Sequence, residues 1–100
     1  MVMSKWNSER GVTPPLNALL AFEAAARNMS INKAAFELRV TPSAVSHRLH
    51  VLELMLGREL LRRVGSRLEL TEAGQSLAPE LTAGFDHIFD AVNAIVRARS

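Results

Sequence analysis

Ser43, Ser46, His47 and His50 fall within "TPSAVSHRLHVLE", residues 41–53, and their spacing puts all four on one side of a helix. A hydroxyl or a neutral imidazole can donate or accept a hydrogen bond, and a protonated imidazole can also meet an anion. On the other side Val45, Leu49, Leu52 and Leu56 recur at helical spacing and mark an apolar stripe. The polar side lacks the Glu/Lys mixture of an ordinary solvated helix. Short hydrogen-bonding groups backed by a buried stripe suit contact with base edges in a nucleic-acid groove. Chemistry of other kinds finds no support. His47 and His50 stand at i, i+3 with no carboxylate or thiol beside them to complete a metal site. There is no Gly-rich phosphate loop and no Ser/His/acid set, so the expectation is no enzyme, no metal and no cofactor.

The elements that must hold this helix are readable on both sides of it. Thr41 reads as its N-cap, and Pro42 fits the first helical position. Upstream, Pro14-Pro15 precedes a helix over about residues 16–27, with Leu16, Leu19, Leu20, Phe22 and Ala26 as its apolar side. Asn28-Met29-Ser30 breaks the pattern, and Ser30 can cap a short second helix running to about residue 39. Ala34, Ala35 and Leu38 line its inner face, and the small alanines let helix axes approach closely. Two short helices joined by so few residues make a helix-turn-helix.

Downstream of Gly57 the period changes. Leu61-Arg62-Arg63-Val64 and Arg67-Leu68-Glu69-Leu70 predict two short strands around Gly65-Ser66. Such a ribbon is marginal alone and must lean on the helices. The expected fold is therefore all-α with a small β-hairpin, a winged helix-turn-helix. Thr71 caps a long final helix over about residues 72–97, with Glu72 well placed in its first turn. Pro79 lies inside it and predicts either a bend between Gln75 and Leu81 or a later helix start. Leu81, Phe85, Ile88, Val92 and Ile95 step by four and three, a heptad seam that predicts dimerisation, and Phe89 and Val96 widen it.

Charge separates the two regions. Residues 39–67 hold six Arg (39, 48, 58, 62, 63 and 67) against Glu53 and Glu59, a balance of +4. Residues 69–96 hold Glu69, Glu72, Glu80, Asp86 and Asp90 with no Lys or Arg, a balance of −5. The first segment suits a polyanion and the second is repelled by one. A hundred residues, 48% hydrophobic, suit a single domain with its own core. The absence of cysteine excludes disulfides and thiolate metal sites. No apolar run reaches the length of a membrane span, and "MVMSKWNSERGVT" lacks the apolar stretch of a signal peptide. Residues 1–14 read as a mobile tail in which Trp6 alone could dock.

The stretch "PLNALLAFEAAARNMSINKAAFELRVTPSAVSHRLHVLELMLGRELLRR", followed by "LTEAG", resembles the N-terminal region of LysR-type transcriptional regulators. The motifs "FEAAARNMS", "TPSAVSH" and Pro79-x-Leu81-x-x-x-Phe85-Asp86-x-Ile88 are similar to the subgroup containing the glycine-cleavage activator and the β-lactamase regulator. The resemblance implies a cytoplasmic bacterial regulator with a double-stranded DNA-binding domain over residues 15–71. Residues 72–100 would form a linker helix through which a homodimer binds an interrupted inverted repeat of promoter DNA. It also implies that Pro42, Ser43, Ser46 and His47 face DNA, flanked by Arg48, His50 and the capping Thr41. Asn32 and Lys33 would meet a phosphate, and Arg63 would contact DNA from the wing, with Arg62 and Arg67 adding charge. Many family members carry Gln and Arg where this chain has Pro42 and His47, so two side chains suited to bidentate base contacts are replaced. The usual aromatic residue two places before the wing arginine is Leu61 here, which predicts softer wing packing. RNA polymerase is a further candidate partner, and a higher oligomer is expected of a full-length protein. The family adds a C-terminal effector-binding domain of periplasmic-binding-protein type; with nothing after Ser100, the chain reads as an excised fragment or a naturally shortened regulator. The alternative is a winged helix used as a protein–protein interaction module.

Overall fold

Short polar side chains set the element boundaries in the computed structural model, which describes residues 14–99. The expected tail and Trp6 lie outside the described residues, apart from Pro14, which is buried. Helix α1 spans Leu16–Asn28 and α2 spans Ile31–Leu38, where the Ser30 hydroxyl accepts from the Lys33 backbone N–H at 3.0 Å. Helix α3 spans Pro42–Leu56, and Thr41 accepts from the Ala44 N–H at 3.1 Å. Met29 and Arg39 close α1 and α2 in left-handed backbone, φ 49° and 60°. That conformation is uncommon for non-glycine residues, and it keeps both connections short.

Strands β1 (Leu61–Val64) and β2 (Arg67–Leu70) pair antiparallel, with Leu61 opposite Leu70 and Arg63 opposite Leu68. Gly65 turns the chain with φ 63°, at the first turn position where a two-residue hairpin favours glycine. Leu61 is buried and Leu68 and Leu70 are half-buried, so the ribbon leans on the helices through one side. The aliphatic Leu61 thus occupies the core. Glu53 fastens the ribbon to α3: its Oε2 accepts from the N–H groups of Leu60 and Leu61 at 2.8 and 3.2 Å.

The core lies where α1, α2, α3 and β1 meet. Phe22, Val45, Leu52 and Leu60 are its largest fully buried side chains, and Leu49, Leu61 and the alanines at 18, 21, 24, 25, 26, 34 and 35 complete it. Of the apolar side expected for α1, Phe22 and Ala26 are buried and Leu19 and Leu20 half-buried, but Leu16 is 60% exposed. Leu56, expected in the α3 stripe, is likewise 39% exposed. Periodicity identifies residues that share a helix side; it does not say how far along the helix a partner reaches.

Helix α4 spans Glu72–Ala98 without interruption. Its start is set by Thr71, whose hydroxyl accepts from the Gly74 N–H at 3.1 Å and donates to the Glu59 carbonyl at 2.6 Å. Pro79 therefore sits inside the helix, and a later start does not occur. The first turn presses on the strand entry so closely that a Cβ on Gly74 would lie 2.1 Å from the Leu60 carbonyl oxygen. Ala73, Leu77, Ala78 and Leu81 pack against the core, so Leu81 of the expected seam belongs partly to the domain. Phe85 is half-buried, whereas Ile88, Val92 and Ile95 are 55%, 58% and 70% exposed. Among the described residues, no helix is long and apolar enough to cross a membrane.

Candidate nucleic-acid interface

The cap at Thr41 and the buried Val45, Leu49 and Leu52 fix which side of α3 faces outward. Thr41, Pro42, Ser43, Ser46, His47 and His50 are exposed, and Arg48 is half-buried. No hydrogen bond joins the side chains of Ser43, Ser46, His47 or His50 to another described residue. Their donors and acceptors are directed at solvent, which is the condition for reading a partner.

The ribbon brings its arginines to the same side. Ser46 and His50 of α3 line one open groove with Arg62 and Arg63 of β1, floored by Ile31, Leu49, Leu61 and Leu68. A second groove runs between the start of α2 and the ribbon, lined by Ser30, Asn32, Arg63, Ser66 and Arg67. Arg63 is common to both, so it stands where α3, the α2 N-terminus and the ribbon converge. Arg67 lies 3.6 Å from Glu69 but is 79% exposed, a contact too solvated to hold the guanidinium back from a phosphate. Lys33 is exposed on a neighbouring part of α2, beside Asn28, Asn32, Phe36 and Glu37.

Two features of the charge pattern come out differently in three dimensions. Arg58, part of the basic segment, lines a separate groove with Glu72 and Glu80 of α4. It is therefore remote in character from the Arg62–Arg63 site. A polar junction also links α1, α2 and α4, with no counterpart in the sequence-based expectations. Arg27 grips Glu23 through Nε and Nη2 at 2.9 and 3.0 Å and reaches Glu37 of α2 through Nη1 at 3.0 Å. Asn28 donates to the same Glu37 carboxylate at 3.1 Å. Thr82 of α4 donates its hydroxyl to Glu23 Oε2 at 2.8 Å. The Arg27 guanidinium holds both carboxyls below their ordinary range, with Thr82 helping at Glu23 and burial opposing. The two carboxylates in turn raise Arg27. The i, i+4 spacing of Glu23 and Arg27 was a visible signal; the link to Thr82, 59 positions away, was not.

Residues 16–75 match the family described as bacterial regulatory helix-turn-helix protein, lysR family. The chain is 53% identical over 74 residues to the HTH-type transcriptional activator AmpR of Pseudomonas aeruginosa, covering 74% of this chain and 25% of that protein. It is 47% identical over 87 residues to the glycine cleavage system transcriptional activator of Escherichia coli K12, covering 87% of this chain and 28% of that one. Among solved structures, the BenM_DBD/catB site 1 DNA complex superimposes with a TM-score of 0.77 at 26% identity, covering 86% of this chain and 97% of that chain. The chain thus spans about a quarter of the length of the curated relatives it matches.

Proposed function

Since the chain belongs to the lysR family of bacterial regulatory helix-turn-helix proteins, we propose that it works as the DNA-reading head and dimer arm of a cytoplasmic transcriptional regulator. Helix α3 enters the major groove of promoter DNA with Ser43, Ser46 and His47 against base edges, Thr41 and Pro42 leading, and Arg48 and His50 flanking. Asn32, Lys33, Arg62, Arg63 and Arg67 bind phosphates and fix register. Residues 15–71 are the reading unit. Residues 72–100 are the arm, and the exposed Ile88, Val92 and Ile95, continuing from Leu81 and Phe85, pair two copies on an interrupted inverted repeat. RNA polymerase is the partner such a regulator would act upon. The role is binding rather than catalysis, in keeping with relatives that are transcriptional activators.

The observation that carries this reading is the shared groove of Ser46 and His50 with Arg62 and Arg63. Base-reading and phosphate-binding groups meet there on one surface, and no observation favours the interaction-module alternative. Titration of duplex DNA against salt tests it. Arg63→Ala should weaken matched and scrambled sites alike and flatten the log–log salt slope by about one unit, because one fewer counterion is released. Ser46→Ala should instead lower the preference for the matched site, by about 1–3 kcal/mol for a lost base contact. An Arg63→Ala protein with unchanged affinity and slope would refute the placement of the wing on DNA.

A further inference from the structure

Leu77 and Leu81 seat α4 on the core, but beside Thr82 its contact with α1 is made mostly by small side chains. Ala26 and Arg27 of α1 face Ala78, Pro79, Thr82, Ala83 and Asp86 of α4 across a shallow groove. Alanine and proline surfaces allow close approach but offer low ridges, so they resist rotation of one helix on another weakly. Pro79 also has no N–H to give the Gln75 carbonyl, which removes one rung of the α4 ladder at this level. Against that background stands one directional contact. Among the described residues, Thr82 to Glu23 is the single side-chain hydrogen bond from α4 to any of α1, α2 and α3.

Both ends of this bond are well defined. Glu23 is 7% exposed and already gripped by Arg27, so its carboxylate cannot turn to follow a moving partner. The Thr82 hydroxyl has one proton and two acceptors in reach, Glu23 Oε2 at 2.8 Å and the Ala78 carbonyl at 3.2 Å. The ionised oxygen is the nearer and stronger acceptor. Arg27 carries the connection on to Glu37 of α2. Beyond the packing of Leu77 and Leu81, this hydroxyl is the one directional side-chain link between α4 and the helix-turn-helix among the described residues.

We infer that Thr82 is a positioning residue that sets the spacing between the two half-sites the dimer accepts. The inference rests on the dimeric DNA-binding reading above. The arm beyond Thr82 runs 16 residues to Ala98, about 24 Å at 1.5 Å per residue. A rotation of about 10° at Thr82 moves its far end by about 4 Å, more than the ~3.4 Å rise of one base pair. A dimer paired through Ile88, Val92 and Ile95, the last of them 13 residues beyond Thr82, would then shift its recognition helices by up to about one base pair from the preferred register.

The test is selection of sites by the whole chain from duplexes carrying two inverted half-sites with a variable spacer, together with single half-site binding and thermal unfolding. The wild type should favour one spacer over its neighbours. Thr82→Val keeps shape and volume and removes the hydroxyl; it should lower that preference about tenfold, the size of one hydrogen bond to a charged acceptor. Single half-site affinity should stay unchanged, and Thr82→Ser should restore the preference. Glu23→Gln, which keeps the shape but not the charge, should relax the spacer in the same way. Retention of the wild-type preference in Thr82→Val overturns the inference, as does loss of half-site affinity in parallel with it. A wild-type protein indifferent to the spacer overturns the dimer reading itself.

Discussion

The first and second halves of α4 carry the same kind of amphipathic pattern and end up with opposite surroundings. In the first, Ala73, Leu77, Ala78 and Leu81 meet the core, Gly74 abuts a carbonyl, and Thr82 bonds to Glu23. In the second, Ile88, Phe89, Val92, Ile95 and Val96 are all more than half exposed. Residue type does not separate the two halves; the reach of the head does. A continuous apolar stripe that outruns its own domain presents a surface for another chain, and contiguous exposed apolar patches of this sort mark interaction sites.

The sharpest test of that contrast is a single methine branch in the first half. Gly74→Val would place a Cβ 2.1 Å from the Leu60 carbonyl oxygen, backbone that cannot swing aside, and such overpacking should cost more than about 3 kcal/mol. Denaturant titration should find the variant largely unfolded; a stable fold would mean that α4 is not seated on the strand entry. In the second half the same stability measurement should hardly respond. Ile88→Asp combined with Ile95→Asp should convert a dimer to a monomer by sedimentation. Compared monomer with monomer, the unfolding free energy should shift by no more than about 0.5 kcal/mol. Unfolding of that double variant would erase the contrast by showing that the outer half packs on the head.

Acid provides the mildest probe. Glu23 has its folded-state pKa lowered, chiefly by the Arg27 hydrogen bonds, so its contribution is complete above the ordinary carboxylate value of 4.5 and is lost as pH falls below it. Glu37 acts in the same sense. Stability should fall between about pH 5 and pH 3, and Arg27→Gln should flatten that limb.

Local chemistry was legible in the sequence. Ser30, Thr41 and Thr71 each accept from the backbone N–H three residues on, and the hairpin pairs around Gly65-Ser66 as its alternation predicts. The outward face of α3 was legible for the same reason, since i, i+3 and i, i+4 spacing determines it alone. The groove that joins Ser46 to Arg63 needed the fold, because it depends on where the ribbon lies against α3. Leu16 and Leu56 lie in the expected helices but outside the core, because periodicity does not report how far a packing partner extends. Of the two outcomes that Pro79 predicts, a bend or a later start, the later start does not occur, because the two hydrogen bonds of the Thr71 hydroxyl hold the start at Glu72. Glu53 gave one faint sign, a lone acid in the apolar stretch "VLELML" of α3.

The alanine-lined core has a calorimetric consequence. Among the described residues, only Phe22, Val45, Leu52 and Leu60 are large and fully enclosed, while seven of the thirteen buried hydrophobic residues are alanine. Unfolding therefore hydrates little hydrocarbon for a chain of this length, and the heat-capacity increment, which scales with exposed apolar area, falls below the usual ~12–15 cal/mol/K per residue. A small increment weakens the curvature of stability against temperature. The head should therefore keep its stability on cooling toward 0 °C, with cold unfolding displaced to lower temperature, as a calorimetric stability curve would show.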